Sequence, residues 1–159
     1  MDTRPQTTVL ALDPGASGGA AWKNPDGSIC CRKMPETEGD ILALIREVKG
    51  EGHLTVWLEQ VGGFIGRAQS GAMMFKFGHG CGFLRGVVMA LGCRLELITP
   101  QRWQQPLCLG GKKSCATDTI WKNKLKAAAQ RKFPQVPNIT LATSDALLIL
   151  EFALTHGQS

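Results

Sequence analysis

The stretch VLALDPGASGG, residues 9–19, joins an apolar run to an aspartate and then to a glycine-rich turn. The apolar run predicts a buried strand that ends at Asp13. An aspartate before Pro-Gly is ordinary turn chemistry, but a carboxylate at the end of a buried strand is also a candidate ligand for a metal ion or a phosphate. The rest of the chain has to distinguish these interpretations.

Strand and helix signals continue on both sides of this turn. Alternation in HLTVWLEQV, residues 53–61, places Glu59 on one face with Thr55 and Trp57, and this strand ends in an acid as the first one does. The last helix, TSDALLILEFAL, is apolar nearly all round and is expected to be buried. Five strand signals occur, at 8–12, 18–22, 28–34, 53–61 and 93–99. With the intervening helices they predict an α/β fold.

Composition limits the classes of protein to which the chain can belong. Its 159 residues, 43% of them hydrophobic, predict one domain, with a core of about residues 8–154. A net charge of +5 favours a polyanionic partner. Six cysteines without a Cys-x-x-Cys pair, and the polar start MDTRPQTT, indicate reduced thiols in the cytoplasm. No histidine spacing typical of zinc and no membrane-length apolar run occurs, so no membrane association is expected.

Three acids share a position at the edge of the predicted core. Asp13 and Glu59 end apolar strands, and Asp145 is expected to begin an apolar helix. Each has a simple alternative: a turn acid, a solvated strand end, or a helix-start residue with Thr143 or Ser144 as the cap. Together, however, gathered carboxylates repel one another unless a cation compensates them, and such all-oxygen sites suit Mg²⁺ or Mn²⁺.

A basic stretch precedes the last helix. No acid occurs from Thr119 to Pro134, so its cations are expected to lack acidic partners and to form a surface for phosphates. The alternative is a solvated helix face. The candidate DNA-binding residues of this region are Lys112, Lys113, Lys122, Lys124, Lys126, Arg131 and Lys132.

Six segments carry a resemblance to a known family. They are LALDPGASGGAAW, VWLEQVGG, FGHGCGFLRGVVMALG, LITPQRWQQ, WKNKLKAAAQRKFP and ATSDALLILEFAL. Their order resembles that of RuvC-like Holliday junction resolvases, most closely the phage and chloroplast branch. The resemblance runs from about Thr8 to Leu154 and implies a ribonuclease-H-like fold, a five-stranded mixed sheet flanked by helices.

The resemblance also implies a chemistry. It assigns Asp13, Glu59 and Asp145 as catalytic residues and metal ligands, which would hold Mg²⁺ or Mn²⁺, with two ions in each active site. The reaction would be hydrolysis of a phosphodiester in four-way or other branched DNA. Relatives often carry a fourth ligand shortly before the last acid, but residues 141–144 offer none. Asp118 is expected to be a loop or helix-cap residue.

Two further regions gain a function from the resemblance. In the loop GFIGRAQSG, Phe64, Arg67 and Gln69 are candidates for contacting bases at the junction centre, with a mobile surface loop as the alternative. Because a junction has near-twofold symmetry and needs two cuts, a homodimer is expected. The glycine-containing helix would form its interface, or else pack on its own sheet, and the proposed contact residues are Met73, Met74, Phe77, Phe83, Leu84, Val87, Val88 and Leu91.

Two other functions stay open. The stretch DPGASGG also resembles the first phosphate loop of actin-like ATPases and sugar kinases, but the chain is too short for their two lobes and shows no second phosphate loop. The missing fourth ligand leaves room for a module that binds branched DNA without cutting it.

Overall fold

A computed structural model of the protein describes residues 7–62 and 69–157. It confirms five strands and the helices between them. The strands are β1 (Thr7–Asp13), β2 (Gly19–Lys23), β3 (Ile29–Lys33), β4 (His53–Glu59) and β5 (Arg94–Ile98). The helices are α1 (Glu38–Lys49), α2 (Gly71–Ala90), α3 (Pro100–Gln104), α4 (Asp118–Lys132) and α5 (Leu141–His156).

The strands form one mixed sheet in the order β3-β2-β1-β4-β5. The first three are joined by short turns and pair antiparallel, as consecutive strands with tight turns do. β4 returns beside β1 in the parallel sense after the α1 crossover, and β5 pairs parallel with β4 after α2. β1 therefore lies in the centre of the sheet.

Strand alternation divides the core into two layers. Leu10, Leu12 and Val56 pack on one face with side chains of α1 and α2. Ala11 and Trp57 pack on the other face with α3, α4 and α5. The expectation that α5 is buried is confirmed, because its residues from Ala146 to Leu150 are almost fully inaccessible.

The start of α5 differs from the sequence expectation. The backbone N–H of Ser144 donates to the Thr140 carbonyl at 3.0 Å, and Thr140 is the cap. The Thr143 hydroxyl accepts the N–H of Thr140 at 3.1 Å, so it closes the first turn from inside the helix. Thr143 or Ser144 as the cap is therefore wrong, and Asp145 lies one turn into the helix instead of at its start.

The glycines after Asp13 allow close backbone packing. A side chain at Gly18 would collide with the Asp13 carbonyl oxygen. One at Gly19 would collide with the Ala142 carbonyl oxygen of α5 and would approach the Arg32 carbonyl oxygen to 2.9 Å. These contacts explain both glycines without a phosphate ligand.

The glycines of α2 have a different environment. A Cβ added at Gly78, Gly82 or Gly86 would meet no atom within 4 Å, so tight packing on the protein's own sheet does not explain them. Leu84 and Val88, proposed as dimer contacts, are instead 3% and 0% exposed and pack on the protein's own sheet. Their assignment to a dimer interface is wrong, because their side chains point away from the glycine face.

The six cysteines are all free thiols. Within residues 7–62 and 69–157, no helix is long and apolar enough to cross a membrane.

Candidate active site

The ends of β1 and β4 bring two acids to one edge of the sheet. Leu12 and Leu58 are partners in the parallel pairing, and Asp13 and Glu59 are the next residue of each strand. By alternation both follow Ala11 and Trp57 onto the face covered by α5. The predicted juxtaposition of two strand-end acids is therefore present in the fold.

The third acid reaches this edge from α5. The close approach of α5 to β2 at Gly19 brings the first turn of the helix against the strand that pairs with β1. Asp145 lies just after this turn, and the first turn itself contains no acid. Favourable interaction with the helix dipole is confined to the first turn, so it does not account for Asp145.

The three carboxylates interact electrostatically. Burial raises the pKa of Asp13 well above its ordinary value, and the negative charges of Glu59 and Asp145 raise it further. Burial also raises the pKa of Glu59 to about 7 and that of Asp145 to about 6. These three carboxyl groups lie close together and are partly shielded from water. Ionising all of them is therefore unfavourable unless a cation compensates their negative charges. Perturbed acids gathered in this way are typical of functional sites.

One lysine faces this cluster. Lys122 of α4 lowers the pKa of both Asp13 and Asp145 through its positive charge. Because α4 packs on α5 through Trp121 and Leu125, it holds Lys122 beside the acids. Lys122, predicted as a DNA contact, thus has a direct electrostatic link to two of the three acids.

The structure adds a residue that the sequence did not single out. The indole N–H of Trp103 donates to Oε2 of Glu59 at 2.7 Å, and Trp103 is only 1% exposed. Nothing in the sequence links positions 59 and 103. The available signal was Pro100 directly after the fifth strand, which starts a short helix at the same sheet edge.

The donor chemistry of the site fits a hard divalent cation. Carboxylate oxygens are the ligands that Mg²⁺ and Mn²⁺ prefer, and a cation would offset the repulsion that raises these pKa values. Among the described residues, no group of three or more Asp, Glu, His or Cys side chains is arranged so that it could hold a metal ion.

The basic residues do not form one uniform patch. In α4, the buried stripe of Trp121, Leu125 and Ala128 separates two flanks. Lys122 and Lys126, one turn apart, lie on the flank toward the acids, and Lys124 and Arg131 lie on the other flank.

Two cations of this region have acidic partners after all. Lys112 lies 3.3 Å from Asp118, and Lys132 lies 3.4 Å from Glu151 of α5. The expectation that the region lacks such partners is wrong for both, because these acids lie outside the segment 119–134. Lys113 is exposed on the short 3₁₀ turn Lys112–Ser114. Asp118 was expected to be a loop or helix-cap residue, but the cap of α4 is Thr117 and Asp118 is the first residue of the helix.

The loop after β4 is described only in part. Phe64 and Arg67 lie outside the described residues, so their assignment as base-contacting residues stays a prediction. Gln69 is exposed and directly precedes Ser70, the cap of α2.

Solved structures with a similar fold were found. One is Thermus thermophilus RuvC in complex with Holliday junction substrate, with a TM-score of 0.58, 16% identity, and coverage of 96% of this chain and 97% of that chain. Another is Thermus thermophilus RuvC, with a TM-score of 0.56, 19% identity, and coverage of 94% and 96%.

No protein-family model and no curated protein matches the chain. The expected branch of phage and chloroplast proteins stays a prediction. The structural likeness extends over nearly the whole chain, and the chain accordingly has the ribonuclease-H-like fold of RuvC.

Proposed function

We propose that the protein is a metal-dependent, structure-selective endonuclease that cleaves four-way DNA junctions by phosphodiester hydrolysis. The observation that carries the proposal is the meeting of Asp13, Glu59 and Asp145 at one sheet edge, where burial raises all three pKa values and neighbouring carboxylates raise those of Asp13 and Glu59 further. The likeness to a RuvC bound to a Holliday junction substrate supports a branched DNA as the substrate.

In this proposal, the protein's residues position the phosphate and the ions. Asp13, Glu59 and Asp145 would together hold two Mg²⁺ or Mn²⁺. Bound ions of this kind activate water and stabilise the attacking and leaving oxygens of an in-line displacement. Lys122, beside Asp13 and Asp145, supplies a positive charge toward which a DNA phosphate can be drawn. Glu59 is 9% exposed, and Asp13 and Asp145 are partly accessible from solvent.

A cleavage assay tests this function. Synthetic four-way junctions and linear duplexes of the same sequences are incubated with the full chain and Mg²⁺ or Mn²⁺. We expect paired nicks in opposed strands of the junction and little cutting of the duplex. Equal cutting of both substrates would contradict structure selectivity.

A second candidate function is binding of branched DNA without cleavage. Residues 141–144, the region where relatives often carry a fourth ligand, offer none, and the described acids do not form a metal-binding group. This candidate predicts tight and selective junction binding, with no nicks in either metal.

The site-facing flank of α4 is expected to contact phosphates. Replacing Lys122 and Lys126 with alanine should reduce the slope of log affinity against log salt by about 0.9 for each phosphate that the variant no longer neutralises. The measurement is junction affinity over a series of salt concentrations. The control is the replacement of Lys23 in β2 and Arg46 in α1 with alanine, which should leave the slope unchanged. An unchanged slope for the variant without Lys122 and Lys126 would indicate that these lysines lie on a solvated helix face and contact no phosphate.

We propose that the acting form is a homodimer, because the described part of one chain has one cluster of acids and a junction needs two cuts. The outward glycines of α2 share a helix face with the exposed side chains of Phe75 and Met89, which are 77% and 66% accessible, and together they supply a self-complementary face. Sedimentation at micromolar concentration should give a dimer. Gly82→Gln should give a monomer, because a Cβ at this position has no atom of its own chain within 4 Å and the added side chain would project from the glycine face. A wild-type monomer that still makes paired cuts would contradict the dimer.

A further inference from the structure

The contact between Trp103 and Glu59 joins two elements that reach the acid cluster separately. Glu59 ends β4, and Trp103 lies on α3, which begins directly after β5. The donor–acceptor distance of 2.7 Å is at the short end for an N–H donor, as expected for a bond to a carboxylate. Because the indole N–H can only donate, Trp103 is the donor and the Glu59 oxygen is the acceptor in this bond.

The backbone around Glu59 is fixed as well. Glu59 pairs with Ile98 of β5, and the N–H of the next residue, Gln60, donates to the Ile98 carbonyl at 2.7 Å. Thr99 then caps α3, and Trp103 lies about one turn later. The same β5–α3 segment thus holds both the main chain and the carboxylate of Glu59.

We propose that Trp103 is a positioning residue for the metal site: its indole N–H engages one carboxylate oxygen of Glu59 and thereby orients the other for ligation. The inference rests on the proposed function in taking Glu59 as a ligand. A carboxylate held by a single donor at Oε2 keeps one rotamer and presents Oε1, whereas a free carboxylate exchanges its oxygens. Partners of this kind typically change metal affinity by about 10–100-fold when they are removed.

The competing explanation is that a buried indole simply needs an acceptor. Trp22 provides the matched control. It is 4% exposed, and its N–H donates to Oδ1 of Asn24 at 3.0 Å, at the opposite edge of the sheet. Trp22→Phe and Trp103→Phe therefore each remove one buried indole and one hydrogen bond of similar length.

The experiment measures Mn²⁺ affinity of the full chain without DNA, from the electron paramagnetic resonance signal of the free ion. Trp103→Phe should weaken Mn²⁺ binding by about tenfold or more, and Trp22→Phe should leave it unchanged. To separate the N–H from packing, a tryptophan analogue with sulfur in place of the indole N–H is inserted at position 103 alone. It should weaken binding as phenylalanine does, and it decides the matter if Trp103→Phe does not fold.

Junction cleavage gives a second readout. The sulfur analogue should lower kcat with little change in KM, because DNA binding does not involve the buried indole. Normal Mn²⁺ affinity in the analogue-containing protein would overturn the proposal, as would a wild-type chain that binds no Mn²⁺. A wild-type chain that binds Mn²⁺ through Glu59 but cuts no junction would refute the nuclease function and leave the role of Trp103 intact.

Discussion

Asp13→Asn is expected to reduce junction cleavage by about three orders of magnitude, since loss of an ionic ligand removes several kcal/mol of transition-state stabilisation. Glu59→Gln and Asp145→Asn should act in the same direction. Asp13 should show the largest effect because it lies on the central strand and interacts with both other acids. Single-turnover cleavage with saturating protein measures the effect, and junction affinity should stay near that of the wild type.

Asp26→Asn is the matched control, because Asp26 lies in the β2–β3 turn at the opposite edge of the sheet. It should cut normally. Near-normal cleavage by any of the three site variants would remove that residue from the active site.

Stability without metal distinguishes removal of a ligand from disruption of the fold. Burial raises the pKa of Glu59 to about 7 in the folded state, so the folded chain binds this proton more tightly than the unfolded chain. The wild type should therefore lose stability as the pH rises from about 4.5 to 7. Glu59→Gln removes the cost of ionising a buried carboxyl group in the folded state. At pH 8 in the presence of chelator, the free energy of unfolding of this variant should exceed that of the wild type by roughly 2 kcal/mol. Added Mg²⁺ should stabilise only the wild type.

Gly19→Ala is expected to destabilise the protein by about 3 kcal/mol, or roughly 6–12 °C in Tm. A methyl group at this position would collide with the Ala142 carbonyl oxygen, and backbone atoms cannot move aside as a flexible side chain can. Thermal unfolding followed by circular dichroism measures the loss. Gly39→Ala in α1 is the control, because its Cβ would have only a distant neighbour, 3.9 Å away.

The same substitution should also impair cleavage at temperatures where the variant is folded. Relief of the collision has to move α5 away from β2, and Asp145 moves with it. A displacement of about 1 Å in a catalytic group can cost about a hundredfold in rate. An unaltered Tm for Gly19→Ala would show that the helix tolerates the methyl group.

The fold could be predicted from the sequence because its signals are local. The alternation in residues 53–59 places Glu59 and Trp57 on the same face, as observed, and the all-round apolar pattern of α5 predicts its burial correctly. The start of α5 was placed too late because two consecutive hydroxyl residues, Thr143 and Ser144, resemble a cap. The real cap, Thr140, is recognised only from backbone hydrogen bonds.

Of the candidate site, only the acidic residues can be predicted from the sequence. Acids at strand ends are visible in a sequence, whereas the bond between Trp103 and Glu59 depends on how β5 leads into α3. The partners of Lys112 and Lys132 were missed for a related reason. Glu151, for example, meets Lys132 across the packing of α4 on α5, which no spacing along one segment reveals.

The position of α5 has a consequence for synthesis on the ribosome. Asp13 and Glu59 belong to strands that are translated before α5, and Asp145 comes from α5, the last described helix, which packs on β1, β2, β3 and β4. Until α5 has emerged, a nascent sheet would expose much of that apolar face to solvent and would hold two adjacent acids without Asp145. Burial of that face and completion of the three-carboxylate cluster should therefore occur together once α5 has emerged, so that a partly synthesised chain lacks the complete cluster.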